Sequence, residues 1–372
     1  MAQELITIQG GAGEVTTAAK DYWAVVEEWL KYLDSEKGKK ERTISVYRYN
    51  MGVFKNWLDS EGIERATRED IKAWRKFMTA QGWSVSTKNL YLTTVRTFYK
   101  WLADEYNFEN IVAGIDGWKN TKEHKRGTLD CADMKKLLAV VPVVAAKKLA
   151  AMEKKLAELE QAAQAQGKTL NCDGRRRYYE KQFHLQELRD VAILSTLMCG
   201  GLRTIEVCRL RVIDVGVDGG VYFLNVLGKG RDERELVKIS RKAERVIRDW
   251  LNAREAVDVV SDESPLFCSI ANNSFGEPLT SLSISRLVKE YLLEAKVKNK
   301  TYETEQKTLV SKPVVAHSLR ASLATNAFRK GASLTAVQQQ LRHRNLATTQ
   351  IYLEESEKFK NPVSDLVSDE IF

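Results

Sequence analysis

Apolar residues recur three and four positions apart through the first third of the chain, and this spacing predicts four amphipathic helices. Tyr22, Val26, Trp29 and Leu33 share a face of the first. Ile44, Tyr47, Met51, Phe54 and Leu58 share a face of the second. Thr67 caps a third helix with Ile71, Trp74 and Met78, and a fourth starts near Ser84 and carries Tyr91, Val95, Phe98 and Leu102. Gly62 and Gly82 punctuate between them.

From residue 186 the pattern changes. Leu188, Val191, Ala192 and Leu197 predict an apolar helix that stops at Gly200-Gly201, with a short helix from Thr204. Residues 212–215, 221–224 and 235–239 read as three short strands, joined by turns at Asp218-Gly219-Gly220 and Gly228-Lys229-Gly230-Arg231. Helices are expected from there to the end. Between the two patterned regions, Leu149, Met152, Leu156, Leu159 and Ala163 alternate three and four apart, followed by the basic run Arg175-Arg176-Arg177. That repeat spans about two heptads, too few to argue for a coiled coil, and a helical hairpin packed on its own domain is the simpler reading.

Composition adds a boundary. The 372 residues exceed one ordinary core, which makes two domains the expectation. Seven of the eight tryptophans precede residue 119, so an aromatic-rich first domain gives way to a different second one. We expect a helical domain over 15–116, a basic linker over 117–129, and a second domain over 130–372 with an inserted helical segment at 143–184 and a tail at 353–372. The fold class expected is mainly α with a small antiparallel β-sheet.

The net charge of +8 favours an acidic polymer as partner. Five prolines and 21 glycines argue against a low-complexity or disordered chain. No run approaches the roughly 20 apolar residues that cross a bilayer, and the N-terminus lacks a signal-peptide pattern. The five cysteines are scattered and never spaced C-x-x-C, which reads as reduced thiols in a cytoplasmic protein without a disulfide framework or zinc site. On the polar faces of the first domain lie Lys72, Arg75, Lys76, Lys88, Arg96 and Lys100. Ser84, Ser86 and Thr87 open the fourth helix, where free N–H groups favour phosphate. The linker contributes Lys119, Lys122, Lys125 and Arg126. These positions suit a nucleic-acid backbone, and an ordinary solvated surface explains them equally well.

The second domain carries the chemistry. Arg203 follows a double glycine at a helix start, and its guanidinium fork matches phosphate oxygens; taken alone, a structural pairing with Glu206 reads as well. Lys229 sits between two glycines at a hairpin tip, where most lysines are simply solvated. The nucleotide-binding pattern G-x-x-x-x-G-K-[ST] is absent. His317 and Arg320 lie one helical turn apart on one face. His343 precedes Tyr352 by nine residues. A tyrosine there is by default packing, because a phenol is a poor nucleophile unless cations or a base stabilise the phenolate. Arg203, Lys229, Arg320 and two histidines supply that stabilisation.

In this order and spacing, Gly201-Leu202-Arg203 with Glu206, Gly228-Lys229-Gly230, His317-Ser318-Leu319-Arg320 and Leu341-x-His343 nine residues before Tyr352 resemble the tyrosine recombinase (phage integrase) family. The specific match covers about residues 186–360, and the helical N-terminal region resembles the family's core-binding domain by pattern only. The resemblance implies a site-specific DNA recombinase. Tyr352 would attack a scissile phosphate to form a 3′-phosphotyrosyl link, with Arg203 and Arg320 clamping its oxygens. His317 and His343 would hydrogen-bond the phosphate and assist proton movement, Lys229 would protonate the leaving oxygen, and Glu206 would orient active-site groups. No cofactor or metal is implied. Two domains would form a clamp around duplex DNA, and four subunits would synapse two sites through a Holliday junction. The tail, with Phe359, Val363, Leu366, Val367, Ile371 and Phe372, would dock on a neighbouring subunit. A cytoplasmic, nucleoid-associated location follows. About 15 residues precede the first helix, which suggests a simple type without an arm-binding domain. Two positions depart from the family pattern: Glu354 stands where many relatives have histidine, and Arg342 where many have glycine. A topoisomerase-like or telomere-resolving relative and a DNA-binding protein that has lost catalysis are the competing readings.

Overall fold

A computed structural model describes residues 6–7, 19–20, 22–119, 127–297, 300–303 and 309–357. The chain divides into two compact units with the boundary between Lys122 and Glu123.

The first unit holds a short two-stranded pairing, β1 (Ile6–Thr7) with β2 (Ala19–Lys20), and four helices. These are α1 (Tyr22–Ser35), α2 (Glu41–Ser60), α3 (Arg68–Ala80) and α4 (Val85–Tyr106). The start of α3 is fixed by reciprocal capping: the Thr67 hydroxyl accepts from the Asp70 N–H, and the Asp70 carboxylate accepts from the Thr67 N–H at 2.7 Å. Ser84 caps α4 by accepting from the Thr87 N–H at 3.1 Å. The apolar faces meet in an aromatic core around Trp29, Phe54, Trp74 and Phe98, all fully or almost fully buried. Trp29 stacks on Tyr47 with ring centroids 5.6 Å apart.

The second unit is built on two long antiparallel helices, α5 (Cys131–Ala165) and α6 (Asp173–Gly200). The segment 143–184, expected as an insertion, is the continuation of these two helices away from the core. Pro142 lies inside α5 without ending it. The turn at the far end is pinned by Glu160, which accepts from the Cys172 N–H at 2.9 Å and pairs with the Arg176 guanidinium. The short helix α7 (Thr204–Cys208) follows α6.

A three-stranded antiparallel sheet comes next, in the order β3 (Val215–Asp218), β4 (Val221–Leu227), β5 (Arg234–Ile239). The first strand begins later than the apolar pattern predicts. Val212–Asp214 form a 3₁₀ turn instead, because the buried Asp214 carboxylate accepts from the Arg211 N–H at 2.8 Å and from Arg234 across the sheet at 2.6 Å. The β4–β5 register pairs Leu227 with Arg234, which leaves residues 228–233 as the connecting loop.

Helices α8 (Arg241–Glu255) and α9 (Ser281–Glu294) complete the main core around Trp250, Leu197 and Tyr291. A second hairpin, β6 (Lys300–Glu303) with β7 (Leu309–Lys312), interrupts the run of helices expected there. The chain then forms α10 (Ala316–Arg329), α11 (Leu334–Leu341) and α12 (Leu346–Glu357). These three share a small core of Ala321, Ala324, Phe328, Val337, Leu341 and Tyr352. The fold is therefore mainly helical with a small antiparallel sheet.

Because Trp29 is fully buried between two aromatic neighbours, Trp29→Ala should lower the stability of the helical unit by about 3–5 kcal/mol, read as a lower midpoint in urea unfolding.

Candidate active site

The site begins at the end of α6. Gly201 sits there with φ of +64°, in the left-handed region that glycine enters without cost. A Cβ at this position would lie 2.8 Å from Leu323 Cδ2 and 2.9 Å from Leu341 Cδ2. The turn points Arg203 forward as the residue that opens α7. The carboxylate of Glu206, fully buried, accepts from the Arg203 backbone N–H at 2.8 Å and from its Nη1 at 2.7 Å. The structural pairing and the forward placement of Arg203 therefore coexist in one arrangement.

Glu206 is shared by three guanidinium groups. Arg342 Nη2 donates to it at 2.6 Å, and Arg320 Nη1 lies 3.9 Å away. Burial works to raise the Glu206 pKa, but the charge of Arg342 and the Arg203 hydrogen bonds outweigh it and hold the carboxyl below its ordinary range.

Arg320, on α10, is almost wholly buried. Its Nη1 donates to the Gly201 carbonyl and its Nη2 to the Leu341 carbonyl, so one side chain satisfies the ends of α6 and α11. Burial, and then the nearby Arg203, draw its pKa down to about 9, while Glu206 and Tyr352 act in the opposite direction. Among the described residues, the Nε atoms of Arg320 and Arg342 are buried without a hydrogen-bond partner.

Arg342 ends α11 with φ of +55°, a left-handed conformation that glycine adopts freely and arginine rarely. The glycine of many relatives thus has a backbone reason, and this chain accepts the strained conformation while placing a buried guanidinium against Glu206. His343 follows. Its Nδ1 lies 2.9 Å from Thr349 Oγ1, and its ring stacks on Tyr352 with centroids 6.0 Å apart. Burial and the surrounding cations Arg320 and Arg203 push its pKa down to about 4, which leaves it neutral at physiological pH. Tyr352 itself is 5% exposed and belongs to the α10–α12 core. The packing default for this tyrosine and its place beside His343 are both realised.

A cleft of about 260 Å³ opens in front of these groups, lined by Arg203, Glu206, Lys229, Glu235, Arg342 and His343 among others. Lys229 is exposed on the β4–β5 loop. Arg320 and Tyr352 are buried and are not among the residues that line this cleft, and His317 stands exposed in the first turn of α10, close enough to His343 to influence its charge. Of the seven positions singled out in this unit, the fold brings all into one neighbourhood. Sequence reasoning noted Arg342 as a departure and missed its part in the cluster; a charged residue at a position that favours glycine was the available signal.

The cationic positions of the first unit are less uniform. Lys76, Arg96, Lys100 and Lys119 are exposed, and Lys72 is exposed beside Glu69. Lys88, expected on a polar face, is buried: its ammonium sits 4.8 Å from the Trp118 ring centroid and 3.4 Å from Thr79 Oγ1. The Arg75 guanidinium also lies over Trp118, at 4.7 Å. The hydroxyls of Ser84 and Thr87 bond each other at the start of α4, near Ser86. Lys122, Lys125, Arg126 and the tail residues from Phe359 onward lie outside the described residues.

Both units resemble known proteins. The phage integrase family model matches residues 178–358, and the N-terminal SAM-like domain model of phage integrases matches residues 26–106. The chain belongs to the phage integrase family. Tyrosine recombinase XerC of Halalkalibacterium halodurans is 29% identical over 337 residues, which is 89% of this chain and 92% of the relative. Tyrosine recombinase XerD of Staphylococcus haemolyticus is 25% identical over 88% of this chain and 92% of its own. Among solved structures, the XerH site-specific recombinase in a post-cleavage complex with a palindromic difH substrate has a TM-score of 0.62 at 18% identity, covering 95% of this chain and 87% of that one. This last likeness is one of fold.

Two expectations follow from the site. Glu206→Gln should cost about 3 kcal/mol at neutral pH, because buried arginines lose their counter-charge. The folded-state pKa of Glu206 lies below its unfolded value, so its contribution is complete above the unfolded value and is lost as pH falls through the folded one. The stability gap between the wild type and Glu206→Gln should accordingly narrow on acidification below the ordinary carboxylate range; a gap that stays constant in denaturant titrations down that range would count against it.

Proposed function

We propose that the chain is a site-specific DNA recombinase that breaks and rejoins duplex DNA through Tyr352. The observation that carries this reading is the joint placement of Arg203, Lys229 and His343 on one cleft, with Arg320 beside Glu206 and Tyr352 stacked on His343. Each side chain then has a role that its position permits. The Tyr352 oxygen attacks the scissile phosphorus, and the bond from phosphorus to the 5′-oxygen breaks. The product is a 3′-phosphotyrosyl link and a free 5′-hydroxyl. Arg203 and Arg320 bind the non-bridging oxygens and offset the charge that grows on them in the transition state. Neutral His343 accepts a hydrogen bond or proton on the phenol side, and His317 hydrogen-bonds the phosphate. Lys229, on an exposed loop that faces the cleft, gives its proton to the leaving 5′-oxygen. Glu206 holds Arg203 in its forward orientation. The covalent link keeps the phosphodiester energy, so rejoining needs no nucleotide.

The remaining assignments follow the same reading. The partner is double-stranded DNA, a reading that the family and the net charge of +8 support. The exposed Lys72, Lys76, Arg96, Lys100 and Lys119 suit its backbone. Four subunits synapse two sites, with the 353–372 tail docking between neighbours. The protein acts in the cytoplasm on nucleoid DNA; no helix among the described residues is long and apolar enough to cross a membrane.

The target duplex can be obtained by covalent capture of cleaved molecules from a random library, and then rebuilt as a nicked suicide substrate. On it the wild type should form a protein–DNA adduct that Tyr352→Phe does not form. An adduct that persists in the Phe variant would falsify the assignment. Lys229→Ala should slow cleavage by about 100-fold or more while binding is retained, and a 5′-bridging sulfur, which leaves without a proton, should restore most of the rate. Equal slowing on the oxygen and sulfur substrates would remove Lys229 from the acid role. Recombinant joints between two sites separate strand exchange from a topoisomerase-like cycle.

A further inference from the structure

Between the arginine pair and the lysine loop stands a side chain that the family pattern does not predict. Arg342 is 6% exposed, sits at a left-handed backbone position, and reaches two carboxylates. Its Nη2 donates to Glu206 at 2.6 Å, and its Nε lies 3.9 Å from Glu235 Oε2. Glu235 is on β5 and also pairs with Arg231, two residues from Lys229 in the loop. The connection therefore runs from Arg203 and Arg320, through Glu206, Arg342 and Glu235, to the segment that carries Lys229. An arginine is suited to this, because one arm of its planar fork donates to Glu206 while its spread charge stays within ion-pair distance of Glu235, where a lysine offers one point charge. A conformation that costs free energy at a non-glycine residue persists where the side chain gains something in return.

We propose that Arg342 is a positioning residue that locks the Lys229 loop to the arginine cluster, so that the proton donor and the phosphate clamp are set in one geometry. The inference rests on the recombinase reading above. Arg342 lines the same cleft, but its guanidinium is turned to Glu206 and Glu235, and the role proposed runs through those two carboxylates. The other charged groups that face Glu206 are Arg203 on the α6–α7 turn and Arg320 on α10, and those that face Glu235 are Arg231 and Arg342.

The test uses the full chain, the selected nicked duplex, and its 5′-bridging sulfur counterpart. Arg342→Gly suits the left-handed backbone and removes the whole side chain, stem and guanidinium together, while Arg342→Lys keeps a cationic side chain, so the pair separates the side chain's role from that of the backbone. It should slow cleavage of the oxygen substrate about 10- to 100-fold, the scale of a small misplacement of a catalytic group. On the sulfur substrate it should stay within about threefold of the wild type, because the acid is no longer needed. Arg342→Lys should recover part of the oxygen rate. Combined with Glu235→Gln, Arg342→Gly should show less than the product of the two single effects, as for members of one network. Wild-type rates for Arg342→Gly on both substrates, or equal slowing on both with no recovery in Arg342→Lys, would overturn the proposal. Failure of the underlying reading looks different: no wild-type adduct forms, or Tyr352→Phe still makes one.

Discussion

One buried carboxylate organises the second unit. Glu206 takes hydrogen bonds from Arg203 and Arg342 and sits beside Arg320, so residues from α7, α10 and the end of α11 converge on a single acceptor. Cations packed this closely repel one another, and in a buried setting little solvent screens them. Without Glu206 the arrangement does not hold. With it, a strong positive field can be kept in place before any phosphate arrives. Burial and then the same field depress the His343 pKa, so the cluster acts on the charge state of its neighbours as well as on its own.

Arg320 extends this constraint into the fold. By donating to the Gly201 and Leu341 carbonyls it ties the ends of α6 and α11 together. Those are the helix ends that present Arg203 and His343. The left-handed residues Gly201 and Arg342 lie at the same two ends, which is where backbone carbonyls need partners and where the chain must turn sharply. The hydrogen bonds that close these two helix ends are thus the ones that hold the arginine cluster together.

Much of this was legible in the sequence because it is local. The four apolar stripes of the first unit, the double glycine before Arg203 and the glycine-flanked Lys229 are written in short windows. What was not legible depends on distant partners. Val212–Asp214 read as strand, but Arg234, twenty residues on, draws Asp214 into a 3₁₀ turn. The β6–β7 hairpin has polar strands without a clear alternation, so no period announced it. Lys88 read as a surface cation, and only the approach of Trp118 from the end of the unit buries it. Arg342 read as a mere departure because its worth lies in Glu206 and Glu235, far away in the chain.

Helix α6 runs for 28 residues, about 42 Å at 1.5 Å per residue, from the turn pinned by Glu160 to the glycine pair before Arg203. It is a single rod with one end at the outer turn and the other at the arginine cluster. In mechanical terms it is a lever: tilting it by about 2° around its far end moves the near end by about 1.5 Å. Tyr178 and Gln182, which bond Asn272 and the Ile270 carbonyl, are the points at which that lever is braced before it reaches the turn of Arg203.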